Sequence, residues 1–231
     1  VILPDKPKLS VKERILHLLE PYLKNIVAVF IYGSYARKDQ TKESDIDVLV
    51  ITKDENVKIN IEEPKLEITL FELEKLKKAI KKYPVVYYQM IHDAEPLINS
   101  QILEELRSIR IDYNNFKYYI QETREHIKSS KELIELDKLD CKYLKSYSVI
   151  YSTILRLKGI FIIKCIKSNK KFSNKSFKEW LIKENLTNQE FEQAYKIYRI
   201  IRDNKKSNNI KIEVSTAEKL LNILTKEAYA L

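Results

Sequence analysis

The feature that most constrains the fold of this chain is a pair of β-prone apolar runs joined through a glycine turn and a pair of acids. Val27-Ala28-Val29-Phe30-Ile31 leads into Tyr32-Gly33-Ser34-Tyr35-Ala36-Arg37-Lys38, and Ser44-Asp45-Ile46-Asp47 opens the run Val48-Leu49-Val50-Ile51. A continuous apolar run of this length is what a strand buried on both faces requires. Gly33 is one of only two glycines in the chain. At a strand end it lets the backbone turn sharply and come close to a ligand, because no Cβ intervenes. Side chains alternate across a strand, so Asp45 and Asp47 leave one face while Ile46 and Val48 point into the core. Two carboxylates on one face, opposite a glycine turn, repel each other unless a cation or bound group offsets them.

Gly33-Ser34-Tyr35-Ala36-Arg37 followed by Ser44-Asp45-Ile46-Asp47-Val48-Leu49-Val50 resembles the signature of the DNA polymerase beta-like nucleotidyltransferases, in particular their small prokaryotic minimal branch. The resemblance spans about residues 9–110. It implies transfer of a nucleoside monophosphate from a triphosphate, ATP among the candidates, to an acceptor with loss of pyrophosphate. It also implies two Mg2+ ions held by Asp45 and Asp47, and a Gly33-Ser34 turn that holds the triphosphate. Ser34 and the amides after Gly33 would donate to phosphate oxygens, with Ser44 in the same nucleotide site and Arg37 or Lys38 adding positive charge. The family's third acid lies on an adjacent strand. Lys65-Leu66-Glu67-Ile68-Thr69-Leu70-Phe71 alternates as a strand with Glu67 and Thr69 on one face, which assigns Glu67 to that role. The pattern departs from the family twice. Glu67 replaces an aspartate and is one methylene longer, which matters to a cation that demands near-octahedral geometry. Lys38 stands where the family has glycine, which leaves two readings: a stiffer turn, or a lysine that reaches a phosphate.

Charge and cysteine content narrow the setting. The net charge is +9, and residues 1–110 are balanced at 18 Lys+Arg against 18 Asp+Glu, so the excess belongs to residues 111–231, with 24 against 15. Two cysteines, Cys141 and Cys165, placed in helical segments, give no disulfide framework, and three scattered histidines argue against zinc. No apolar run is long enough for a membrane span, and no signal-peptide pattern is present, so the expected location is cytoplasmic with no membrane partner.

The pattern predicts an α+β chain: a small mixed β-sheet nucleotidyltransferase domain with flanking helices over 1–111, then an all-α antiparallel helical bundle over 112–231. Helix 10–24 starts with the capping box Ser10-x-x-Glu13. Strands follow at 26–32, 46–52 and 65–71, then helix 72–82; Tyr83–Asp93 reads equally as helix or strand, and helix 99–110 closes the domain. The second half reads as helical throughout. An amphipathic helix begins near Phe116, a longer one spans 139–168, and a short one lies near 175–184. Capping boxes Thr187-x-x-Glu190 and Ser215-x-x-Glu218 start the last two. Gly159 inside a helix signals close helix packing.

The bundle resembles, in architecture only, HEPN domains and the acceptor domains of aminoglycoside nucleotidyltransferases. The nearest approach to a HEPN nuclease motif is Arg202-Asp203, but Lys205, Lys206 and Ser207 follow instead of histidine. Without imidazole there is no obvious acid or base for RNA cleavage. The basic half admits a nucleic-acid surface, and dense tyrosines offer core packing, base stacking or a nucleotidylation acceptor. The acceptor stays open between a protein hydroxyl, an RNA end and a small molecule. A homodimer is compatible with a two-part chain of this size. Two alternatives to an active transferase are an antitoxin-like or regulatory partner-binding module and a catalytically silent nucleic-acid-binding protein.

Overall fold

Four strands, β1 (Ile26–Tyr32), β2 (Ile46–Thr52), β3 (Leu66–Glu72) and β4 (Glu95–Ile98), form one mixed sheet in the order β3-β2-β1-β4. They belong to a computed structural model that describes residues 10–42, 44–205 and 210–231. The chain divides into two units, Val1–Ile111 and Asp112–Leu231. β1 runs antiparallel to both β2 and β4, whereas β2 and β3 are parallel. A parallel pair cannot be joined by a tight hairpin, which accounts for the long connection between β2 and β3.

Both faces of the sheet are covered. On one, Val29, Ile31, Val48 and Val50 pack with Ile15 and Leu19 of α1 (Val11–Leu19). On the other, Ala28, Phe30, Leu49 and Ile51 pack with Leu76 and Ile80 of α3 (Leu73–Lys82), Ile91 of α4 (Pro84–Asp93), and Leu103 and Leu106 of α5 (Ser100–Arg107). The short α2 (Gly33–Arg37) links β1 to the loop before β2. The continuous apolar runs of β1 and β2 follow from this double burial.

Several elements depart from the sequence reading. The first helix stops at Leu19, and Glu20–Asn25, containing Pro21, continues as a 3-10 turn. The ambiguous stretch is helix α4, opened by Pro84, whose missing N–H costs nothing at a helix start. β4 was not foreseen: it has four residues and one is Pro96, which only an edge strand tolerates.

The second unit holds α6 (Lys117–Asp140), α7 (Ser148–Lys167), α8 (Asn174–Lys183), α9 (Asn188–Arg202) and α10 (Val214–Ala230). α6 and α10 are antiparallel, tied by Arg124 donating to the Ala228 carbonyl at one end and by Lys138–Glu218 at the other. Gly159 of α7 packs directly on Tyr119 of α6, as a helix-packing glycine should; a Cβ there would overlap the phenol and lie 2.8 Å from Cε1. Burial pushes the Tyr119 phenol up to about 12.

This unit is not helical throughout. Lys142–Leu144 is extended and exchanges backbone hydrogen bonds with Ile212–Val214, Leu144 N to Ile212 O and Val214 N to Lys142 O, both at 3.0 Å. The expected helix from 139 is therefore broken, and Cys141 lies just past the end of α6. The same pairing holds Glu213 extended as the N-cap of α10, so Ser215 falls inside the helix and Glu218 bonds Lys138 rather than closing a capping box. The boxes at Ser10 and Thr187 form as read. Within the bundle Tyr151 stacks on Tyr198 and Tyr195 on Phe191, with the Tyr195 and Tyr198 rings tilted against each other. These tyrosines are packing residues; Tyr113, Tyr118 and Tyr229 are exposed. Arg202 bonds its neighbour Asp203, while Lys206 and Ser207 lie outside the described residues. No helix among the described residues is long and apolar enough to cross a membrane.

Candidate active site

The site starts from the top row of the sheet. Tyr32 of β1, Asp47 of β2 and Glu67 of β3 are register partners, and residues paired across adjacent strands point to the same face. This row caps the apolar face formed below it by Phe30 and Leu49. Asp47 is half-buried, while Asp45, immediately before β2, and Glu67 are exposed. Ile46 N donates to Lys65 O at 2.7 Å, which fixes the start of β2 against β3 and holds Asp45 and Glu67 at the same end of the sheet.

Gly33 faces this row. Its φ is +72°, a conformation that costs an L side chain. A Cβ would also overlap Asp47 Oδ2 and lie 2.9 Å from Asp47 Cγ. Glycine is therefore required twice, by the backbone and by the acid packed on it. The structure brings together the two halves of the sequence pattern, the turn and the aspartate.

Lys38 has φ 59° and ψ 32° and ends α2 as a left-handed cap. Asp39 N donates to Ser34 O at 3.0 Å and Lys38 N to Tyr35 O at 3.3 Å, the double bond of a Schellman ending, in which glycine is the usual residue. The physical reason for glycine at this position is thus conformational, and the exposed lysine adopts that conformation regardless. Ser34 sits in the first turn of α2, partly exposed. Ser44 is a loop fastener: its hydroxyl accepts from Thr41 N at 2.8 Å.

Arg37 is engaged within the protein. Its Nη1 donates to Asp93 Oδ2 of α4 at 3.4 Å and its Nε to Asp39 Oδ2 at 3.3 Å. The Asp93 side chain is 4% exposed. Burial pushes its carboxyl up, with Arg37 opposing that shift. Sequence reasoning missed Asp93, because nothing local marks an acid at the end of an ambiguous segment as a partner of Arg37. It also missed the Tyr32 hydroxyl, which reaches across β2 to Thr69 Oγ1 at 3.0 Å. Burial, and after it the charges of Asp47 and Glu67, push the Tyr32 phenol up against the effect of that bond.

Among the described residues, no three His, Cys, Asp or Glu side chains gather into one metal-binding group. The donor chemistry of Asp45, Asp47 and Glu67, all carboxylate oxygens at one end of the sheet, fits a hard divalent cation such as magnesium rather than zinc or copper.

The family model described as Polymerase beta, Nucleotidyltransferase matches residues 13–114. No functionally curated protein matches the chain. Among solved structures, a nucleotidyltransferase-like protein from Exiguobacterium sibiricum is 10% identical, with 96% of this chain and 75% of that one covered and a TM-score of 0.44. Spectinomycin adenyltransferase from Enterococcus faecialis, solved with ATP and spectinomycin, is 14% identical, with 94% and 97% covered and a TM-score of 0.44. The glycine turn seated on Asp47 and the carboxylates of adjoining strands lie within residues 13–114, the part of this chain that matches the Polymerase beta, Nucleotidyltransferase family model.

Proposed function

We propose that this chain transfers a nucleoside monophosphate from a nucleoside triphosphate to an acceptor hydroxyl. The acceptor oxygen attacks the α-phosphorus, the bond from that phosphorus to the β-phosphate bridging oxygen breaks, and pyrophosphate leaves. The observation that supports this reading best is the register: Asp47 lies against Gly33 and opposite Glu67, within the residues that match the nucleotidyltransferase family model.

In this reading Asp45, Asp47 and Glu67 hold Mg2+, whose positive charge would stabilise the attacking oxygen and the leaving pyrophosphate. Gly33 lets the triphosphate approach the backbone, and Ser34 donates to a phosphate oxygen. Glu67, exposed on β3, takes the proton of the acceptor hydroxyl. Lys38, exposed at the end of the turn, adds positive charge beside the phosphates. Little covalent work falls to the protein, so positioning and charge neutralisation carry most of the rate. The helical unit, Asp112–Leu231, serves as the acceptor-binding domain.

Calorimetric titration of the whole chain with each of the four nucleoside triphosphates, with and without magnesium, tests the site. Wild type binds one or more of them only with magnesium. Asp45→Asn and Asp47→Asn each weaken that binding about 100-fold, the order expected for removing a charged contact worth about 2–3 kcal/mol. Absence of binding to all four, or binding indifferent to both substitutions, overturns the reading.

A further inference from the structure

Arg37 is a cation of the glycine turn that the fold itself employs. Its guanidinium forks between Asp39, at the end of its own turn, and Asp93, the last residue of α4. The Asp93 carboxylate is almost fully enclosed, at 4% exposed, and the Arg37 side chain is 20% exposed. A planar guanidinium presents donors in a fixed fork, and here two edges of that fork are already taken by carboxylates. The left-handed Lys38 turns the chain back, which is what brings Asp39 within reach of Arg37. At the other end of the same five-residue helix, Gly33 rests on Asp47. The turn is therefore held at both ends, by contact with Asp47 at its start and by the Asp93 pair at its finish.

We propose that Arg37 is a positioning residue that acts through Asp93, holding the Gly33-Ser34 turn against Asp47, and not a ligand of the triphosphate. This rests on the nucleotidyltransferase reading for its consequence on nucleotide affinity, while the anchoring itself stands on the geometry alone. The two roles for Arg37 predict opposite signs for one substitution. Removing a negative charge close to an anion site strengthens anion binding by plain Coulomb attraction, and freeing the guanidinium of a phosphate ligand would add to that gain. Loss of an anchor does the reverse. Asp93→Asn keeps the shape of the side chain and the arginine, so this variant keeps its packing.

The experiment pairs calorimetry with hydrogen exchange on the whole chain. Wild type, Asp93→Asn, Arg37→Gln and the double variant are titrated with the magnesium salts of the four nucleoside triphosphates. In parallel, amide exchange is followed by mass spectrometry over residues 33–39 and over the interiors of β1 and β2. Asp93→Asn and Arg37→Gln each weaken binding about tenfold, the equivalent of one charge-assisted hydrogen bond, and the double variant is no weaker than either single one. Exchange accelerates over 33–39 and keeps its wild-type rate within β1 and β2. Affinity of Asp93→Asn equal to or above wild type overturns the proposal, as does unchanged exchange over 33–39 or an equal rise throughout the domain. If wild type binds none of the four, the nucleotidyltransferase reading falls, and the exchange rates over 33–39 decide the anchor by themselves.

Discussion

Replacing Gly33 by alanine separates two costs that the structure superimposes. The first is conformational: a φ of +72° places an L side chain in the left-handed region, at about 1–2 kcal/mol. The second is steric. The new methyl would overlap the Asp47 carboxylate, with Asp47 Cγ at 2.9 Å, and pushing a packed side chain aside costs about 1–3 kcal/mol. In wild type the two add to about 2–5 kcal/mol. In an Asp47→Ala background only the Asp47 Cβ remains near, at 3.4 Å, an ordinary van der Waals distance. There Gly33→Ala costs the conformational part alone, so the coupling between the sites is about 1–3 kcal/mol. The assay is native-state hydrogen exchange of the β1 and β2 amides across a urea series. Tryptophan fluorescence does not serve, because the single tryptophan, Trp180, lies in α8 of the other unit. Equal costs of Gly33→Ala in the two backgrounds would refute the claim that Asp47 is packed on the turn.

Trp180 is the right probe for the bundle. Gly159→Ala lowers the urea midpoint of its fluorescence transition by the equivalent of about 1–3 kcal/mol. Tyr119→Phe does not restore that loss, because the ring carbons as well as the hydroxyl occupy the space, with Cε1 at 2.8 Å from the added methyl. The pH dependence of the same transition reports His126, which bonds Ser130 at 3.0 Å and faces Arg156. Burial, then Arg156, holds its imidazolium below the usual histidine range. The unfolded chain therefore takes up this proton first, and stability is lost as pH falls through about 6.5. Stability of the bundle drops from pH 8 to pH 5.5 in wild type, and His126→Gln removes most of that drop; an identical drop in the variant would show that another group is responsible.

Some of this molecule is decided by short stretches of chain. β1, β2 and β3 follow from runs whose burial and alternation are local, and the capping boxes at Ser10 and Thr187 close within four residues. The glycine turn and Asp47 are legible because one apolar run, a turn and a second run leave few ways to pair. A Gly-Ser followed by two acids then marks a candidate site within the sequence itself. The magnesium chemistry assigned to those acids came from resemblance to a family rather than from geometry.

The features that the sequence left open all depend on partners far along the chain. Four residues with a proline become β4 only because the free edge of β1 accepts them. The helix expected from residue 139 breaks because Lys142–Leu144 finds backbone partners at Ile212–Val214, and the energy of those bonds is invisible to local periodicity. Lys38 reads as a phosphate contact or a stiff turn, and only the backbone shows that it ends a helix in a glycine conformation. Arg37 reads as a cation beside the phosphates, and only the fold reveals its pairing with Asp93, 56 residues away and buried beside it. Local sequence determined which segments could be strands and helices and which residues are candidates for the chemistry. Tertiary structure alone decided the pairing of distant charges such as Arg37 and Asp93, because such a pair is selected by shared burial, and burial is a property of the assembled fold.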